Sequence, residues 1–174
     1  MSQDRRVAVI GLGYVGLPLA ISFAEAGLTV EGIDAYPPRV AELNAGSSPI
    51  DDVSDARLAA ALTGGLTVVA PADASIPSAD AIFVCVPTPI TTTKDPDLAP
   101  VLSAAETIRG HLRAGQLVIL QSTTFPGTTT GPFREVLEQT GLKAGTDFDL
   151  AFAPERVNPG DPASASKGVP RLVG

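Results

Sequence analysis

Tryptophan is absent from this chain, and cysteine and histidine occur once each, as Cys85 and His111. A single thiol excludes an internal disulfide framework, and one imidazole beside it excludes a Cys/His metal cluster and leaves almost nothing for a Cys-His dyad. No metal site is expected, and the cysteine usage fits a reducing cytoplasm. Basic residues are also scarce, 12 Lys and Arg against 19 Asp and Glu, giving a net charge of -7 and a pI near 4.6. Nucleic acid is therefore not an expected partner, because phosphate backbones are bound by clustered cations. Any anionic ligand has to be held by a local device.

Long apolar runs are few. Residues 7–24 follow Arg5-Arg6 and carry no charge, which superficially resembles a signal peptide or a membrane span. Gly11, Gly13, Gly16 and Pro18 interrupt it, and a buried strand, a glycine turn and an amphipathic helix account for each of these breakers. No membrane segment is expected.

What the chain does contain is an alternation. Apolar runs at residues 7–10, 29–33, 66–70, 81–86, 117–120 and 148–153 mostly lack the period-two pattern of a half-wetted sheet and read as strands buried on both faces. Helical patterns lie between them. Leu98, Val101, Leu102, Ala105, Ile108 and Leu112 form one stripe behind Asp97 as a cap, and Pro37 and Pro38 suit the first turn of a helix that carries Val40 and Leu43. Ser54 can cap a short helix reaching Leu62, and Phe133, Val136 and Leu137 mark a last helix entered through residues 128–130. The 174 residues are long enough for one full core, so the expected fold is α/β, a Rossmann-like doubly wound parallel sheet in a single domain over residues 1–174.

Within that fold, residues 7–16 read V-A-V-I-G-L-G-Y-V-G, an apolar strand emptying into Gly-x-Gly-x-x-Gly. A strand ending on Gly11 and a helix starting near Tyr14 leave the first helical amides pointing outward, which is a pyrophosphate site. Gly11 permits the tight turn, Gly13 the approach of phosphate oxygens, and Gly16 the close packing of helix on strand. The second run ends on Asp34, eighteen residues past Gly16, where a carboxylate can accept from an adenosine ribose and would repel a 2′-phosphate. The expected cofactor is NAD. Arg39 could reach the adenosine ribose or phosphates, or lie in solvent at the start of its helix.

Ligands of doubly wound sheets bind beyond the carboxyl ends of the strands, and there the other runs deliver Val86-Pro87-Thr88-Pro89, Gln121-Ser122-Thr123-Thr124 and Pro154-Glu155-Arg156. These are expected to line one crevice. Pro87 and Pro89 fix the backbone around the Thr88 hydroxyl, either to meet a ligand oxygen or as a plain rigid turn. Thr123 could orient a hydroxyl or a water while Ser122 and Thr124 satisfy backbone groups. Glu155 is the one group of this set able to abstract a proton, if it is partly buried; otherwise it is a surface carboxylate. Cys85, flanked by Val84 and Val86 inside the fourth run, reads as an inert core thiol, and His111 as a solvated residue at a helix end.

With these residues placed, the chain resembles the N-terminal cofactor domain of the UDP-glucose/GDP-mannose dehydrogenase family, the nucleotide-sugar 6-dehydrogenases. The motifs that carry the resemblance are G-L-G-Y-V-G-L-P-L-A, D-A-Y-P-P-R-V, L-N-A-G-S-S-P-I, V-C-V-P-T-P-I, S-T-T-F-P-G-T-T and A-P-E-R-V-N-P-G, spread co-linearly from Arg6 to Gly174. The last two are most similar to enzymes of UDP-N-acetylhexosamines, of the mannosamine or glucosamine type. The resemblance implies two successive NAD-dependent oxidations of the sugar C6 alcohol to a carboxylate. It implies that Gly11, Gly13, Tyr14, Val15 and Gly16 form the pyrophosphate turn, that Asp34 and Arg39 hold the adenosine ribose, and that Pro87, Thr88 and Thr123 line the nicotinamide side. It further implies that Glu155 helps activate water, with Thr123 positioning it.

The same resemblance implies a second domain that supplies the nucleophilic cysteine, a lysine, an asparagine and most of the UDP-sugar site, together with helices that make a homodimer. None of these lies in the 174 residues, so the chain is expected to be inactive alone, a monomer or weak dimer. Two other readings fit the same residues: a self-contained NAD-binding regulatory module, and the cofactor domain of another Rossmann dehydrogenase.

Overall fold

In the computed structural model, which describes residues 5–90, 96–155 and 173–174, six strands pair in the order β3-β2-β1-β4-β5-β6, every pair parallel. They are β1 (Arg6–Ile10), β2 (Thr29–Ile33), β3 (Leu66–Val69), β4 (Ala81–Val84), β5 (Leu117–Leu120) and β6 (Asp149–Phe152). Parallel neighbours need crossovers, and these are supplied by α1 (Gly16–Glu25), α2 (Pro37–Asn44), α3 (Asp55–Thr63), α4 (Ala99–Arg109) and α5 (Arg134–Glu138). The chain winds outward from β1 to β3, returns to the other side of β1 as β4, and winds outward again.

Because successive strand residues point to opposite faces, β1 feeds two cores. Val7 and Val9 pack with Leu17, Ile21, Leu43, Leu58 and Leu66 on the face of α1, α2 and α3. Ala8 and Ile10 pack with Ile82, Val101, Ile108, Val118, Phe133 and Leu137 on the face of α4 and α5. This is why the central runs carry no polar alternation. The run at 66–70 departs from that expectation, since Leu66 and Val68 are buried while Thr67 is exposed. β3 is an edge strand, and its outward face is wet. At the opposite edge, Phe152 exchanges both backbone hydrogen bonds with Gly174, its amide donating at 2.6 Å and its carbonyl accepting at 3.0 Å.

Local chemistry explains most element ends. Pro37 and Pro38 occupy the first turn of α2, and the Ser54 hydroxyl accepts from the Arg57 amide at 3.3 Å to start α3. Asp97 caps α4 from just outside it, its Oδ1 accepting from the Ala99 amide at 2.9 Å. Three boundaries differ from expectation. The fourth strand ends at Val84, so Cys85 and Val86 lie beyond it, and α1 begins at Gly16 because residues 11–15 are consumed by the turn. The last helix is entered through a wide π-type turn, Thr129–Phe133, kinked at Gly131 ahead of Pro132, which shortens α5 to five residues.

Candidate functional site

β1 and β4 are neighbours whose connections run to opposite sides of the sheet, and a crevice of about 490 Å³ opens at their carboxyl ends. Gly11, Gly13, Tyr14, Val15, Asp34, Tyr36, Arg39, Cys85, Val86 and Pro87 line it. The turn after β1 depends on two glycines. Gly11 has a φ of 91°, and a Cβ on it would stand 2.7 Å from the Cys85 carbonyl oxygen; a Cβ on Gly16 would stand 1.8 Å from the Gly11 carbonyl oxygen. Only glycine lets α1 begin this close to the strand it follows.

The start of α1 is electrically bare. No side chain caps it, no acidic residue stands in its first turn, and its first backbone bond runs from the Leu17 amide to the Gly13 carbonyl at 3.1 Å. The amides of Tyr14 and Val15 find no acceptor among the described residues. Outward-pointing amides at a helix start are suited to an anionic oxygen.

Two side chains from beyond β2 grip the turn from either side. Asp34 accepts from the Leu12 amide through Oδ2 at 2.8 Å and from the Tyr36 amide through Oδ1 at 2.9 Å. Arg39 donates from Nη1 to the Leu12 carbonyl at 3.0 Å, and the same nitrogen lies 3.8 Å from where a Cβ on Gly13 would be. Arg39 is thus held against the glycine turn and is not a solvated residue at a helix start. The Asp34 carboxylate is an immobilised acceptor, and each oxygen retains a lone pair for a hydroxyl.

Along residues 5–174 the sequence matches the UDP-glucose/GDP-mannose dehydrogenase family, NAD binding domain. The chain belongs to that family. It is similar to the UDP-N-acetyl-D-glucosamine 6-dehydrogenase of Pseudomonas aeruginosa, 41% identical over 160 residues that are 91% of this chain and 37% of that one. It is likewise similar to the UDP-N-acetyl-D-mannosamine dehydrogenase of Pyrococcus horikoshii, 40% identical over 156 residues, 89% of this chain and 37% of that one. Among solved structures, an NDP-N-acetyl-D-galactosaminuronic acid dehydrogenase from Methanosarcina mazei superposes with a TM-score of 0.88 at 33% identity, over 99% of this chain and 39% of that one. The chain therefore spans under two fifths of the length of these relatives, and the part it spans is the NAD-binding domain.

The six strand ends do not all reach the crevice of this NAD-binding domain. Gly11, Gly13, Tyr14, Val15, Asp34, Arg39 and Pro87 line it, and Gly16 lies beneath the turn, whereas Thr88, Thr123 and Glu155 are not among its lining residues. β5 and β6 stand one and two strands from β4, roughly 5 and 10 Å away at the usual spacing. Thr88 is half-buried between its prolines, Thr123 is exposed, and Glu155 is half-buried with its Oε2 accepting from Gln121 Nε2 at 2.9 Å. Ser122 has the structural role expected of it, donating to the Val86 carbonyl at 2.8 Å. Arg156 and the remainder of the R-V-N-P-G stretch lie outside the described residues.

Sequence reasoning missed two lining residues, Cys85 and Tyr36. Cys85 was expected inside the strand; it is buried just past the strand end, on the crevice wall. Tyr36 stands exposed at the rim two residues beyond Asp34, a position signalled only by the hydrogen bond its amide makes. Among the described residues no group of His, Cys, Asp and Glu could hold a metal ion, and no helix is long and apolar enough to cross a membrane.

Proposed function

We propose that this chain is the cofactor half of a nucleotide-sugar 6-dehydrogenase of the UDP-N-acetylmannosamine or UDP-N-acetylglucosamine type, which converts the sugar C6 alcohol to a carboxylate in two oxidations. The observation that carries the reading is the doubly gripped glycine turn: Leu12 is held through its amide by Asp34 and through its carbonyl by Arg39, which presents the bare start of α1 to the crevice. The residues fit NAD, which when bound supplies the hydride acceptor for each oxidation. Gly11, Gly13, Tyr14, Val15 and Gly16 form the pyrophosphate cradle. Asp34 accepts from the adenosine ribose and disfavours a 2′-phosphate by charge, while the Arg39 guanidinium offsets phosphate charge nearby. Pro87 and Thr88 bound the nicotinamide side.

Thr123 and Glu155, set beyond the crevice wall toward β5 and β6, face the sugar end in this reading. The Thr123 hydroxyl orients the water that completes the second oxidation, and the Glu155 carboxylate takes its proton. Cys85 is not the nucleophile, because it is buried in the cofactor crevice. The chain by itself binds NADH and does not turn over sugar.

Isothermal calorimetry of the chain with NADH and NADPH, joined to assays of the intact dehydrogenase carrying this domain with both UDP-N-acetylhexosamines, tests the proposal. Preferred NADH binding, two NADH formed per sugar oxidised by the intact enzyme and no turnover by the chain alone are expected. Equal affinity for NADPH, or no binding of either nucleotide, overturns it.

A further inference from the structure

The carboxyl ends of β4, β5 and β6 are joined by one buried side chain. Gln121, only 2% exposed, follows β5 directly. Its Oε1 lies 3.8 Å from the Cys85 Sγ, which donates to it from the crevice wall, and its Nε2 donates to Glu155 Oε2 at 2.9 Å. The amide oxygen faces the thiol and the amide nitrogen faces the carboxylate. An amide reversed in this slot would set its oxygen against the Glu155 carboxylate, so the contact with Cys85 and the contact with Glu155 support one orientation.

We infer that Gln121 is a positioning residue that ties the carboxylate of Glu155 to the wall of the cofactor crevice. This rests on the reading of Glu155 as the residue that takes a proton from water. A general base acts only from hydrogen-bonding range of the proton it accepts, and a half-buried glutamate at a strand end has several rotamers of which few satisfy that. Gln121 selects among them. Cys85 enters as the anchor that keeps the amide from reversing, which gives the buried thiol a use that requires no reactivity.

In the intact dehydrogenase, Gln121→Met should lower kcat about tenfold while leaving the KM for NAD within about twofold. In a Glu155→Gln background the same substitution should change kcat by less than about twofold, because its target is already lost. Equal proportional losses in both backgrounds, or a raised KM with kcat intact, would overturn the inference. Should Gln121→Met fail to fold, the side-chain amide NMR signals of Gln121 in the otherwise unmutated chain serve instead. They should differ between the unmutated chain and Glu155→Ala, which removes the carboxylate that Gln121 donates to. A chain that binds NADH but whose Gln121 amide ignores that substitution loses this inference and keeps the functional reading; a responsive amide in a chain that binds no nucleotide does the reverse.

Discussion

Asp34 holds two backbone amides, so on the proposed reading its contribution to cofactor binding is partly the shape of the turn it maintains. Asp34→Ala should weaken NADH binding by about 1 to 3 kcal/mol, the cost of leaving polar groups unpaired, and should also lower the melting temperature of the chain alone. Calorimetry and a thermal melt on one preparation check both. An affinity loss with no change in melting would assign Asp34 to the ribose only. Arg39→Met, which keeps the apolar stem and deletes the bond to the Leu12 carbonyl, should weaken NADH by about 1 to 2 kcal/mol and more so at low salt, because a charge is lost with the contact.

Elements respond to substitution according to how closely their backbones approach. Gly16→Ala places a methyl group 1.8 Å from a backbone oxygen of the preceding strand end, where no side chain can swing aside, so α1 has to move off β1. A loss of roughly 3 kcal/mol or more is expected in urea unfolding, against roughly 1 kcal/mol for Ser54→Ala, which removes only the cap of α3. All six strands and the chief helices are legible in sequence because a doubly wound sheet writes its burial as uninterrupted apolar runs, and its turns as Gly, Pro and Ser. Membership of the crevice is less legible, since it depends on strand order. Asp34 and Gly11 could be assigned from spacing along one βαβ unit. The link from Glu155 to the crevice wall could not be read from sequence, since the Gln121 bridge joins residues 36 and 34 positions apart. Cys85 was misplaced because an apolar run does not reveal where pairing stops when a proline lies further on.

At the scale of the whole molecule the two cores lie on opposite faces of one sheet, and their acid-sensitive contacts differ. Glu138 on α5 is held by Arg134 Nε at 2.8 Å, by the Ala144 amide at 3.1 Å and by Lys143 Nζ at 3.4 Å, joining α5 to the loop that leads into β6. The hydrogen bond from Arg134, followed by that from the Ala144 amide, holds its carboxyl below the usual carboxylate range. A carboxyl lowered on folding contributes stability that is fully present above the unfolded value and is lost as the pH falls through the folded one. On the other face the hydrogen bond to Glu25 raises the Arg57 guanidinium, a contribution that also needs an ionised carboxylate, but that pair joins exposed side chains whereas Glu138 also holds the Ala144 amide. Glu138→Gln keeps an acceptor for the Ala144 amide and removes the charge. It should therefore melt below the unmutated chain at neutral pH and converge with it as the pH falls through the lowered folded range of Glu138. Hydrogen exchange on acidification should first release amides of α5 and the residue 143–149 loop while those of α1 and β2 stay protected, and a gap in melting temperature that stays constant with pH would show that Glu138 contributes packing without charge.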